Sequence, residues 1–172
     1  MPVFRPFIGL FLTGALLLSW SARAEEAPDF SLRNLNGHME MLSDYRGEVI
    51  VLSFWSSCCS GSVQQLRVVQ DLFVELSDSG LIVLAVSMDD ARYISKVTPF
   101  VRKHGLTMPV LLDQGSKVVI AYNPTKIKPF TVVIDRNHQV LEKIAGMDEE
   151  QAAALEQLVR TLVKTPVTVQ TP

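Results

Sequence analysis

Glu48-Val49-Ile50-Val51-Leu52-Ser53-Phe54-Trp55-Ser56-Ser57-Cys58-Cys59-Ser60-Gly61-Ser62 is the stretch that decides the fold. Its first eight residues are nearly all apolar and rich in β-branched side chains, the pattern of a strand buried on both faces. Helix periodicity takes over beyond it, with Leu66, Val69, Phe73 and Leu76 at spacings of three and four. Gly80 closes that helix, and Leu81 to Met88 reads as a second buried strand. Strand, helix and strand in about 40 residues make a βαβ unit, so the two strands run parallel with a right-handed crossover.

Outward from this unit the elements alternate. Pro28 to Leu32 reads as a short leading strand, followed by a turn at Asn34 to His38. On the other side, Thr98 is a candidate N-cap with Pro99 at the first helical position, and Gly105 ends that helix. Met108 to Leu112 reads as a strand and Gly115 to Tyr122 as a short helix. Phe130 to Ile134 and Val140 to Ile144 flank Arg136-Asn137-His138 as a hairpin, and Asp148 to Val163 forms a final helix. The order ββαβαβαββα implies an α/β sandwich, one mixed sheet with helices on both faces.

The first 24 residues read as a signal peptide. Arg5 precedes an apolar run from Phe7 to Leu18, and Ala22-Arg23-Ala24 supplies a small-x-small cleavage site. The apolar run is shorter than the roughly 20 residues of a membrane span. Membrane attachment is therefore expected only if this leader stays uncleaved. No cysteine stands near the cleavage site, which argues against lipoprotein anchoring. The mature chain is expected to begin at Glu25 in an oxidising, periplasmic or otherwise extracytoplasmic space, with one domain at 27–164 and a disordered tail at 165–172. Cleavage removes Arg5 and Arg23, leaving 14 basic against 18 acidic residues, a formal charge of −4. Such a surface has no basic stripe, so nucleic acid is not expected as a partner.

Four segments together resemble the thioredoxin superfamily, and within it the extracytoplasmic TlpA/ResA-like thiol-disulfide oxidoreductases, or redoxins. They are Ala27-Pro28-Asp29-Phe30, Val51 to Cys59, Val101 to Asp113, and Lys128-Pro129-Phe130-Thr131-Val132-Val133-Ile134-Asp135. The resemblance spans about Ala27 to Val163. It implies a thioredoxin-like three-layer α/β/α sandwich with a mixed central sheet and an N-terminal β extension. In that family the turn reads Phe-Trp-x-x-Trp-Cys-x-x-Cys. Laid on this chain, Cys59 takes the attacking position, Cys58 replaces a tryptophan, and Ser62 replaces the resolving cysteine. Pro129 resembles the family's cis-proline, which lies beside the active-site cysteine and presents backbone to an extended substrate. Trp55 and Lys128 would border the same surface, with Lys128 bringing a charge where the family usually has none. Gln65 and Ser53 stand where some members carry a glutamate or an aspartate, so neither proton-handling carboxylate is present.

The residues themselves support Cys59. A thiol in the first turn of a helix lies near unpaired amide groups and the positive end of the macrodipole, which favours thiolate. Ser62, one turn on, could donate its hydroxyl to that sulfur. Packing is the alternative reading for both thiols. A Cys58–Cys59 bridge would be strained, since adjacent Cα atoms lie about 3.8 Å apart against a usual 4.4–6.8 Å for disulfides.

Two functions follow. One is monothiol exchange of protein or small-molecule thiols and disulfides through Cys59, of isomerase or mixed-disulfide type, with Cys58 or an external thiol resolving. The other is a redox-inactive module binding an extended peptide beside Pro129. The threonine and proline pattern of a peroxidatic cysteine is absent. Adjacent thiolates suit soft metals, but His38, His104 and His138 have no ligand spacing, so no metal and no cofactor is expected. The protein is read as a monomer. Intact mass spectrometry of exported protein is expected to show loss of residues 1–24 and an N-terminal Glu25; a retained leader would instead give a membrane-bound product of full mass.

Overall fold

The computed structural model describes residues 25–165; the expected signal peptide and all but the first residue of the expected tail lie outside them. Eight strands form one mixed sheet: β1 (Glu25–Glu26), β2 (Ser31–Asn34), β3 (Met39–Met41), β4 (Val49–Trp55), β5 (Leu81–Ser87), β6 (Val110–Leu112), β7 (Phe130–Ile134) and β8 (Gln139–Ala145). Four α-helices join them: α1 (Gly61–Leu76), α2 (Ile94–Lys103), α3 (Lys117–Tyr122) and α4 (Glu149–Lys164). The sheet order is β1-β8-β7-β4-β5-β6-β2-β3. β4, β5 and β6 are mutually parallel, whereas β7 pairs antiparallel with β4.

All seven residues of β4 are buried, as its composition requires. Their alternation splits the core in two. Val49, Val51 and Trp55 face Leu66, Val69 and Leu72 of α1, Val97 of α2, and Leu155 and Val159 of α4. Ile50, Leu52 and Phe54 face the opposite side, where Val118, Val119 and Tyr122 of α3 cover the sheet. The expected α/β sandwich is therefore present.

Several element boundaries differ from expectation. The leading strand is β2, shifted to Ser31–Asn34; it forms a hairpin with β3 across the expected turn, where Gly37 adopts a φ of 88°. β1 adds a further strand against β8, with Glu25 opposite Val140. Helix α2 starts at Ile94, four residues before Thr98, so Pro99 lies inside it. The cause is Asp90. Its carboxylate accepts from the Arg92 N–H at 2.9 Å, and its carbonyl accepts from the Ile94 N–H at 3.0 Å, opening the helix early. Pro99 removes one helical hydrogen bond, which burial of Val97 offsets. α4 begins where expected, with Asp148 and Gln151 forming a reciprocal capping box.

Tyr122 ties the N-terminal segment to this core. Its ring lies 5.8 Å from Phe54 and 6.3 Å from Phe30, and its hydroxyl donates to the Pro28 carbonyl at 2.6 Å. Burial, then the charges of Asp29 and Glu25, hold its phenol well above the ordinary tyrosine range. Tyr122→Phe is expected to lower stability by about 0.5–1.5 kcal/mol in urea titration. The folded phenol keeps its proton beyond the ordinary value of about 10, so that difference should be full below about pH 10 and shrink above it.

Candidate functional site

The site forms at the carboxyl end of β4, between its two partners. Trp55 pairs with Ser87 of β5, and Phe54 pairs with Phe130 of β7. The chain leaving Trp55 therefore meets the segment after β5 on one flank and the segment before β7 on the other. Residues 56–60 make a tight turn into α1. The Cys59 N–H donates to the Ser56 carbonyl, the Ser62 N–H to the Cys59 carbonyl, and the Val63 N–H to the Ser60 carbonyl, each at 3.1 Å. Cys59 thus precedes the helix, its carbonyl taking the first turn's bond, rather than lying inside that turn as the sequence suggested.

The β7 flank holds Cys59. Its half-buried sulfur lies 3.8 Å from the Lys128 carbonyl. The Lys128–Pro129 peptide bond is cis, as the resemblance implied. Pro129 is buried and its carbonyl accepts from the Gly146 N–H at 2.9 Å, while Lys128 is exposed. Gly61 makes this close approach possible: a Cβ there would lie 3.2 Å from Pro129 Cδ and 3.9 Å from Cys59 Sγ. The loop leading to Lys128 is clamped from within by Asn123. Its Nδ2 donates to the Ile127 carbonyl at 2.7 Å, and its Oδ1 accepts from Thr125 Oγ1 and the Ile127 N–H. Ile127 itself is exposed.

Cys58 points to the β5 flank. It is exposed, and its sulfur lies 3.1 Å from Ser56 Oγ. Ser56 in turn donates to Asp89 Oδ1 at 2.8 Å. Asp89 also receives the Ser57 N–H at 2.9 Å, Ser57 Oγ at 3.1 Å and Ser87 Oγ at 3.0 Å. The two sulfurs are thereby turned to opposite sides of β4.

Two expected roles are corrected. Ser62 is fully buried, and its Oγ accepts from the Ser56 N–H at 3.3 Å, so it braces the turn instead of bonding the Cys59 sulfur. Trp55 has no exposed surface; its ring packs on Phe100 at 4.9 Å, and it belongs to the core, not to a substrate surface. Beneath the turn, Gln65 donates from Nε2 to the Phe130 carbonyl at 2.9 Å and to Thr131 Oγ1 at 2.8 Å. Ser53 lies opposite Thr131 across the strands. These buried side chains form a neutral cluster. Sequence reasoning missed Asp89 and its serines. The available signal was Ser87-Met88-Asp89 at the end of a buried strand, but only the β4–β5 pairing brings it beside Ser56.

A thiol set at the start of a helix against a cis-proline, on a thioredoxin-like sheet, is the arrangement of the thioredoxin-like class of proteins. The chain belongs to the AhpC/TSA family, whose model matches residues 24–158. It is 35% identical over 120 residues to the thiol-disulfide oxidoreductase ResA of Geobacillus kaustophilus, covering 70% of this chain and 67% of that one. It is 29% identical over 154 residues to ResA of Bacillus anthracis, covering 84% and 87%. A solved structure assigned as a thiol:disulfide interchange protein DsbE from Chlorobium tepidum superposes with a TM-score of 0.75 at 28% identity, covering 81% of this chain and 96% of that one. The resemblance to TlpA/ResA-like proteins read from the sequence is thus shown.

Gly61→Ala should push the turn off Pro129. Alkylation of Cys59 is expected to slow several-fold, on the scale of a misplaced reacting group, with the circular dichroism spectrum unchanged; an undiminished rate would mean the slot is not needed.

Proposed function

We propose that the chain is an extracytoplasmic monothiol exchanger, of isomerase or mixed-disulfide type, with Cys59 as its nucleophile. One observation carries this reading: Cys59 is half-exposed against Lys128 and Pro129, while position 62 holds a buried serine engaged by the backbone. The flank that presents the attacking sulfur therefore has no second thiol.

The Cys59 thiolate attacks one sulfur of a disulfide R–S–S–R′. The S–S bond breaks, its electron pair leaves on R′S⁻, and that thiolate takes a proton from solvent. A mixed disulfide, Cys59–S–S–R, remains. A second thiol, R″–SH, loses its proton to solvent and attacks the sulfur bonded to R; R–S–S–R″ forms, and the S–S bond to Cys59 breaks with its electron pair leaving on Cys59 as thiolate. Disulfides are exchanged without net oxidation or reduction of the protein. The cis Lys128–Pro129 segment offers backbone beside the sulfur for an extended partner, and the exposed Lys128 ammonium favours anionic thiols such as small acidic peptides. The neutral Ser53–Gln65–Thr131 cluster holds no carboxylate below the sulfur, so protons pass through solvent or the partner. The leader read from the sequence, together with kinship to the ResA proteins, supports an extracytoplasmic location. Kinship to oxidoreductases also favours exchange over an inert peptide-binding module.

Mature protein in graded glutathione redox buffer is expected to carry one glutathione adduct on Cys59, mapped by mass spectrometry. Cys58→Ser should retain the adduct and Cys59→Ser should lose it. Inert thiols across the whole redox range would refute exchange.

A further inference from the structure

We infer that Asp89, acting through Ser56, holds the Cys58 thiol in a hydrogen bond on the β5 flank and so directs exchange to Cys59. The inference rests on the reading of Cys59 as the attacking thiol and explains how two adjacent cysteines come to differ. Asp89 is 2% exposed, and its carboxylate meets four donors: Ser56 Oγ, the Ser57 N–H, Ser57 Oγ and Ser87 Oγ. The backbone N–H can only donate, and a carboxylate so surrounded acts as acceptor alone. Ser87 Oγ has its own direction settled, because it accepts from the Asp89 N–H at 3.2 Å and donates back to Oδ2.

Ser56 has a single hydroxyl proton. With that proton on Asp89 Oδ1 at 2.8 Å, its oxygen is left to accept from the Cys58 S–H at 3.1 Å. The thiol form of Cys58 is therefore hydrogen-bonded. That bond ties the Cys58 sulfur to the β5 flank. Cys59 is held more loosely, its S–H donating to the Lys128 carbonyl at 3.8 Å on the opposite flank. Asp90 and Arg92 pair with each other at 2.7 Å ahead of α2, and Lys128 is exposed before β7. None of them touches Cys58.

Asp89 is thus a positioning residue, and its consequence is selectivity. An incoming disulfide meets one competent nucleophile instead of two, and a mixed disulfide on Cys59 is not attacked by the neighbouring sulfur.

The test uses full-length mature protein, with limiting iodoacetamide as the probe and site occupancy read by peptide mass spectrometry across a pH series. Wild type is expected to label at Cys59 ahead of Cys58. Asp89→Asn should raise the Cys58-to-Cys59 labelling ratio severalfold. Ser56→Ala should act in the same direction, and Ser56→Thr, which keeps the hydroxyl, should restore the wild-type ratio. Should Asp89→Asn fail to fold, the Ser56 pair decides alone. Cys58 labelling that is unchanged or slower, or an equal rise at both cysteines, overturns the inference. Repeating the series in Cys59→Ser protein reads Cys58 alone, so a failure here is distinct from a failure of Cys59 to exchange.

Discussion

Strand β4 hydrogen-bonds in parallel to β5 and antiparallel to β7, and the register of those two ladders sets nearly everything at the site. Because Trp55 pairs with Ser87, the chain beyond each strand continues side by side and Ser56 comes to rest on Asp89. Because Phe54 pairs with Phe130, the residues just before β7 arrive beside the turn, and Pro129 meets Gly61 and Cys59. A slip of one residue in either ladder would turn the core residues of β4 to the wrong face. The apolar side chains that alternate between the two cores thus hold the sulfurs in place from a distance.

Much of the architecture was legible because its signals are local. The buried run into β4, the 3.6-residue period of α1, the capping residues of α4 and the Asn34–His38 turn each lie within a few consecutive residues. Where two local signals competed, the reading slipped. Thr98-Pro99 is a good helix start in isolation, yet Asp90 starts the helix a turn earlier, and packing of Val97 keeps Pro99 inside it. The site was legible only in part for a related reason. Cys59 and Pro129 carry motif signals, whereas Asp89 lies 33 residues beyond Ser56 and becomes its partner only through sheet pairing. Ser62 was misassigned because spacing along a helix says nothing about which backbone amide claims a hydroxyl.

The serines explain how the turn keeps its shape without a disulfide. Ser62 receives the Ser56 amide, and Ser56, Ser57 and Ser87 converge on one carboxylate. Hydrogen bonds to a charged acceptor contribute about 1.5–3 kcal/mol each, so this cluster braces the turn without a covalent bond. It also requires no redox change to form. The order of the turn therefore does not depend on the redox state of Cys59.

Asn123 has a consequence of a different kind. One amide satisfies the backbone of the loop from inside, contacting Ile127 through both of its ends. The outward side chains of that loop, Ile127 and Lys128 among them, are relieved of any part in holding its shape. The chemistry of that rim can therefore change by substitution while the sulfur, the proline and the sheet stay as they are.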